Sequence, residues 1–381
     1  MTETLTITTE RVDDIPLLLF PLRRMDLPSL IEQHFHQHRN WQGLSAGWTA
    51  TIWLAHLLSQ ADHRLNQVQP WAEKRLLTLQ HCSRQHLLAT DLTDDRLASI
   101  LHMLSDDDAW TSFERALTRT SLRVYDLRPS RVRLDTTTSS GYWSVSEDGL
   151  FQFGHSKDHR PDLPQLKIML ATLDPLGMPV ATDIISGERA DDLLYLPAIM
   201  RVRGNLAQSG LVYVGDCKMA SLATRAGVAF HRDFYLCPLS AVQMPPELLA
   251  RYVAAVARGE HTLRPIERTR ADGETEQIAD GFELVETLQA EHDTWRVTWD
   301  ERRLVVRSRQ QARTQERGLR TRLAKAQQAL ATLTARGRGK RPPADLVSVE
   351  QAAAAIVARY DVAAVLRVCC EAEVQERRVR A

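Results

Sequence analysis

The chain has 381 residues, enough for two or three domains and a sizeable core, and its 48 Lys and Arg balance 48 Asp and Glu. That balance hides a division: residues 301–381 hold 18 Lys and Arg against 8 Asp and Glu, an excess of ten, so residues 1–300 carry the matching deficit. The basic stretch suits either a phosphate-rich partner or the solvated outer face of an Arg-rich helix, while five cysteines without a C-x-x-C pair (Cys82, Cys217, Cys237, Cys369, Cys370) suggest neither a disulfide framework nor a structural zinc site.

Those thiols are expected to be reduced, as in a cytosolic protein. No charged-then-apolar leader opens the chain and no apolar run approaches the length of a membrane span, so the expected location is cytoplasmic.

Residues 1 to about 127 read as an all-helical bundle. The largely apolar stretch from Ala46 to Leu58, with Trp48, Ile52, Trp53, Leu54, His56 and Leu57, predicts a buried helix. Leu65 and Val68 continue at helical spacing until Pro70 interrupts the pattern. Thr93-Asp94-Asp95-Arg96-Leu97 has the form of a helix start, with a Thr cap and acids in the first turn, and Ile100, Leu101, Leu104, Trp110, Phe113 and Leu117 supply further apolar faces.

Between Asp126 and Arg131 the pattern changes from helical to alternating, which sets a boundary. Strands are expected at 132–135, 149–153, 165–173 and 179–185, with Asp174-Pro175-Leu176-Gly177 as the turn between the last two. A helix at 191–202, a strand at 211–216, a helix at 220–226 and a strand at 234–236 follow. With 149–153 counted into the hairpin, that order is expected of an RNase H-like α/β layer. After Pro245 it breaks off into short strands at 283–285, 294–298 and 304–306, an amphipathic helix at 314–335, a basic linker at 336–343, a helix at 348–360 and a strand candidate at 362–370. The fold class is therefore α/β: an all-helical N-terminal domain (1–127), an RNase H-like mixed-sheet catalytic core (128–240), and a helix-and-strand insertion region (241–381).

Chemistry concentrates at two acids. Asp135 and Asp216 each end an apolar or alternating run, so each carboxylate is expected at the end of a strand. Carboxylates ending neighbouring strands converge on one crevice. Hard oxygen ligands of this kind suit Mg²⁺, and a pair of divalent ions suits phosphodiester cleavage. The plainer alternative is that each Asp caps the turn after its strand. Thr136, Thr137 and Thr138 either orient Asp135 and touch phosphate or are simply β-branched strand residues. Asp174 and Asp183 read as structural. The run from Phe153 to Gln165 gathers His155, Lys157, His159 and Arg160 between two strands: Lys157 and Arg160 suit a DNA backbone, or the run is a charged hairpin loop. The histidine spacings here and at His34-Phe35-His36-Gln37-His38 do not make a zinc site. Trp143, Trp295 and Trp299 suit base stacking or packing.

The run Asp135-Thr136-Thr137, the block Gly154-His155-Ser156-Lys157-Asp158-His159-Arg160-Pro161-Asp162-Leu163-Pro164-Gln165, and Gly215-Asp216 with Met219-Ala220-Ser221 resemble the insertion-sequence DDE transposases of the IS-four-like superfamily, whose catalytic domain is RNase H-like. The resemblance extends over nearly the whole chain, Asp94-Asp95-Arg96-Leu97 included. It implies that Asp135 and Asp216 are the first two catalytic acids and metal ligands, for Mg²⁺ or Mn²⁺. It also implies that Lys157, His159, Arg160, Thr136 and Lys218 contact DNA. The partners it implies are transposon terminal repeats and target DNA, with a homodimer in the transposition complex.

The family's third acid is a Glu in a Tyr-(2)-Arg-(3)-Glu-(6)-Lys helix, and that pattern is missing. Tyr252 and Tyr360 have no suitable Arg and Glu behind them, and Glu283, Glu286 and Glu371 are not on a helix of that kind. The expectation is a C-terminally truncated transposase, weakly active or inactive alone, whose sheet is open on one side for want of a covering helix. A non-catalytic DNA-binding remnant that represses transposition is the alternative.

Overall fold

Among the described residues, apolar residues three and four apart build seven α-helices before the first strand: α1 (Ile15–Arg24), α2 (Leu27–His34), α3 (Ala46–Gln60), α4 (Val68–Glu73), α5 (Leu76–Ser83), α6 (Asp94–Leu104) and α7 (Asp107–Val124). The computed structural model describes residues 7, 9–157, 159–333 and 345–371. The chain divides into two compact units, residues 1–244 with 288–299, and residues 245–287 with 300–381.

In the first unit α3 is the central helix. Ser45 caps it by accepting from the Trp48 N–H, and its residues from Ala46 to His56 are mostly buried, as an apolar-all-round helix requires. Ile52, Ala55, Leu79, Leu97, Ile100 and Phe113 form a helical core around it. Pro70 does not end a helix as expected. The break comes earlier, at left-handed Ala61, and Pro70 sits in the first turn of α4, where a missing N–H costs nothing. Thr93 stands at the cap position of α6, but its side chain makes no capping bond.

The expected order of three strands, helix, strand, helix, strand is present: β1 (Arg131–Ser140), β2 (Gln165–Leu173), β3 (Met178–Ser186), α8 (Tyr195–Leu206), β4 (Val212–Val214), α9 (Leu222–Phe230) and β5 (Phe234–Leu236). They form one mixed sheet in the order β3-β2-β1-β4-β5. β1 to β3 are an antiparallel meander, and β4 and β5 run parallel to β1. The Asp174–Gly177 turn is present, with Gly177 at φ +68°, a backbone shape that favours glycine.

The segment 149–153 is not a strand. β1 and β3 already occupy both edges of β2, with Gln165 paired to Ser140 and Leu166 to Ser186, so only a single bridge from Gln152 to Gln165 remains.

Alternation gives the sheet two unlike faces. Val132, Leu134 and Thr136 of β1 and Gln165, Lys167, Met169, Ala171 and Leu173 of β2 are buried on one face. α8 supplies Tyr195, Ala198, Ile199 and Val202 to the core that includes Val132, Leu134 and Met169. The other face carries Arg133, Asp135, Leu170, Ile184, Phe234 and Leu236, all exposed. Leu166, Ile168, Val212 and Val214 on that same face are half-buried.

The second unit contains α10 (Pro246–Ala257), β6 (Arg264–Thr269), most of β7 (Thr275–His292) and β8 (Trp295–Ser308), α11 (Arg309–Leu333) and α12 (Leu346–Arg359). The three short strands expected between 283 and 306 are parts of the long β7–β8 hairpin, in a sheet ordered β6-β7-β8. α11 and α12 are helices as expected, and an Arg322–Asp361 ion pair ties α11 to the turn after α12. Residues 362–370 are not a strand: the Val365 and Leu366 N–H groups bond back to the Val362 carbonyl, which spends their donors locally. The expected linker at 336–343 lies outside the described residues.

Candidate metal-binding active site

The alternating run Arg131-Val132-Arg133-Leu134-Asp135-Thr136 forms β1 because every second residue enters the core. Asp135 is not at the end of this strand, as the sequence suggested, but in its middle: the hydroxyl-rich run behind it continues β1 to Ser140 against β2. What does end near Asp135 is the parallel neighbour, because β4 accompanies β1 only from Arg131 to Arg133. The last pair is Arg133 with Val214, so each acid follows its strand's end of this pairing by two residues. Both acids are exposed to solvent.

Asp216 sits where the chain leaves β4. The Gly215 N–H still bonds to the Leu236 carbonyl, and the chain then turns so that the Met219 N–H bonds to the Asp216 carbonyl. A Cβ on Gly215 would lie 2.7 Å from Met219 Sδ and 3.1 Å from Tyr195 Cε1, so a side chain here would make Met219 or Tyr195 shift.

Each carboxylate has one oxygen engaged. Asp135 Oδ1 accepts from the Thr136 N–H at 2.8 Å. Asp216 Oδ1 accepts from Tyr195 Oη at 2.7 Å and from the Lys218 N–H at 2.9 Å. Among the described residues, neither Oδ2 makes a hydrogen bond, and no Lys or Arg pairs with either acid. Tyr195 is wholly buried. Burial, then the Asp216 hydrogen bond, then the charges of Asp216, Asp135 and Asp191 push its phenol far up, so it stays a neutral donor. Two solvent-facing carboxylates, each with an oxygen that no described residue engages, are hard ligands of the kind that a divalent cation takes. Among the described residues, no group of three His, Cys, Asp or Glu is arranged to hold a metal.

The DNA-contact candidates have different surroundings. The Lys157 ammonium donates to the carbonyl oxygen of Thr136 and, at 2.9 Å, to its Oγ1. Thr136 is buried, so this pair ties the β1–β2 loop to the strand that carries Asp135. Arg160 forms a two-bond pair with exposed Asp162. His159 is exposed, with a left-handed backbone at φ +58°. Lys218 is exposed next to Asp216. Buried Ser156 accepts from the Arg160 N–H, and buried Gln165 donates to the carbonyls of His155 and Gly187.

Sequence reasoning missed Tyr195 and Lys167. Lys167 is buried on β2 and donates to the Arg189 carbonyl at 2.6 Å and to Asp191 Oδ1. A Tyr in an apolar helix reads as core, and a Lys inside an apolar strand carries no mark of its partner. Asp174 is structural, as expected, between Arg131 and Arg133, and Asp183 pairs with Arg201. Of the substitute third acids, Glu283 is on β7 and held by Arg302, and Glu286 is on β7 and held by Tyr252 and Arg303.

No helix of the described residues is long and apolar enough to cross a membrane. No protein-family model matches the chain, and no curated protein matches it. Among solved structures, a piggyBac transposase synaptic complex with hairpin DNA is similar at 12% identity and TM-score 0.32, covering 62% of this chain and 53% of that one. The chain thus spans about half the length of the piggyBac protein. A Mos1 transposase paired-end complex with the left transposon end is similar at 9% identity and TM-score 0.22, covering 66% of this chain and 84% of that one. A pre-cleavage Mos1 transpososome is similar at 8% identity and TM-score 0.21, covering 66% and 85%.

Proposed function

We propose that this chain is a DDE-type DNA transposase of the IS-four-like superfamily, with an RNase H-like catalytic core. It would cut transposon ends and join them to target DNA. The observation that supports the reading is the parallel pairing of β1 with β4 up to Arg133 and Val214, two residues before Asp135 and Asp216, each of which has a carboxylate oxygen that no described residue engages. Asp135 and Asp216 would hold Mg²⁺ or Mn²⁺, which supplies charge stabilisation and an activated oxygen nucleophile for phosphodiester chemistry.

The chain's own residues do the rest. The Thr136 N–H and Tyr195 Oη fix the two acids. Lys157 and Thr136 hold the β1–β2 loop beside them. Lys218, His159 and Arg160 offer exposed donors to a DNA backbone, so binding would weaken with salt. The reaction would be hydrolysis at the transposon end, then attack of the freed 3′-hydroxyl on target DNA, with two copies of the chain on paired ends.

Two carboxylates hold a metal less firmly than three, so cleavage by this chain alone is expected to be weak but metal-dependent. The lack of any three-residue metal group among the described residues favours a second reading, a non-catalytic DNA-binding protein that occupies terminal repeats. A strand-cleavage and strand-transfer assay on terminal-repeat DNA with Mg²⁺ or Mn²⁺ separates them. Metal-dependent cleavage lost in Asp135→Ala, with DNA binding kept, supports the transposase. DNA binding with no cleavage in either chain supports the binding protein.

A further inference from the structure

We propose that Tyr195 is a positioning residue for Asp216, held in place by the Lys167–Asp191 pair at the start of α8. The inference rests on the metal-site reading above and concerns how the exposed acid keeps one orientation. Asp216 lies on a solvent-facing turn, where a carboxylate bound only through its own backbone is free to rotate. Here Oδ1 receives two donors, the Tyr195 phenol at 2.7 Å and the Lys218 N–H at 2.9 Å, while Oδ2 receives none. The donor pair fixes which oxygen is spent and which remains for a cation.

The phenol is itself immobile. Tyr195 is wholly buried in the core beneath the sheet, and its ring edge lies against Gly215, where a Cβ would sit only 3.1 Å from Cε1. It is the first residue of α8, so its position depends on the turn before it. Lys167 anchors that turn through the Arg189 carbonyl and Asp191. Lys167 is on β2 in register with Thr138 of β1, the strand that carries Asp135. A continuous route therefore links the two acids: β1, Lys167, Asp191, Tyr195, Asp216. Partners of this kind, one step behind a metal ligand, typically change metal affinity about 10–100-fold when removed.

The test is Mn²⁺ binding to the full chain, followed by electron paramagnetic resonance of free Mn²⁺. Tyr195→Phe removes one oxygen and keeps the ring, and its Mn²⁺ dissociation constant is expected to rise about tenfold or more. Wild-type affinity in Tyr195→Phe overturns the inference and leaves the metal reading standing. A wild-type chain that takes up no Mn²⁺ overturns the metal reading, and the inference with it. A measurement on the wild type covers the case of a variant that does not fold. With its seven tyrosines labelled at Cζ, one carbon signal is expected to move as Mg²⁺ is added, and seven unmoved signals overturn the inference.

Discussion

Lys157 is bound to Thr136, 21 residues away, by two hydrogen bonds from one ammonium, to the carbonyl oxygen and to Oγ1. The side chain that reads as a phosphate grip in the sequence is thus spent on the strand beside Asp135. Lys157→Met removes both bonds and keeps the length of the side chain. Hydrogen exchange of the backbone at 154–164 is expected to speed up several-fold, while the salt dependence of DNA binding stays as in wild type. A slope reduced by about one unit would show instead that the ammonium contacts phosphate.

Glu114 joins α7 to the sheet. Its Oε1 accepts from the Thr182 N–H, and its Oε2 accepts from Arg201 Nε and Asn205 Nδ2. Removing one partner of a nearly buried charged group leaves the others unmatched, at a cost of about 3 kcal/mol. Glu114→Ala is expected to lower unfolding stability by that amount in urea titration. A loss below about 1 kcal/mol would show that water replaces the carboxylate.

Asp174 pins the start of β1. Arg133 bonds both of its oxygens and Arg131 lies at 3.5 Å. The Arg133 hydrogen bond, and then the Arg133 and Arg131 charges, outweigh partial burial and hold its pKa below the ordinary 3.8. An acid whose folded pKa lies below its unfolded value stabilises the fold above that unfolded value, and the contribution fades as pH falls through the folded one. The melting-temperature gap between wild type and Asp174→Asn is therefore expected to be constant from pH 7 to roughly 5 and to shrink below roughly 4. A gap that widens in acid would contradict the assignment.

Gly215→Ala places a methyl group against Met219 and Tyr195. Both neighbours are buried, so the tyrosine or the turn must shift. Mn²⁺ affinity is expected to fall about as far as in Tyr195→Phe, with overall stability lowered by about 1–3 kcal/mol. Unchanged affinity would show that Met219 alone moves aside.

Much of the sheet was legible because its strands are apolar or alternating. Gln165–Leu173 and Phe234–Leu236 are strands at the bounds read from the sequence, and β3 differs by one residue at each end. β1 runs five residues past the expected end at Asp135 because Thr136 to Ser140 is a run of hydroxyls with no apolar member to mark the inward face. The long β7–β8 hairpin was seen only as fragments, since its mostly polar, half-exposed residues give weak alternation. The two acids could be chosen from the sequence, but the parallel pairing of β1 with β4 just before them joins distant segments, which local pattern does not encode. Tyr195 was illegible for the opposite reason: its hydroxyl meets Asp216 only once α8 is laid on the sheet.

The central claim is that Asp135 and Asp216 share one divalent cation, and Mn²⁺ titration of the full chain beside Asp135→Ala and Asp216→Ala tests it most directly. The account predicts saturable Mn²⁺ uptake by wild type and a large loss of it in each single variant. Equal uptake by all three chains would contradict it.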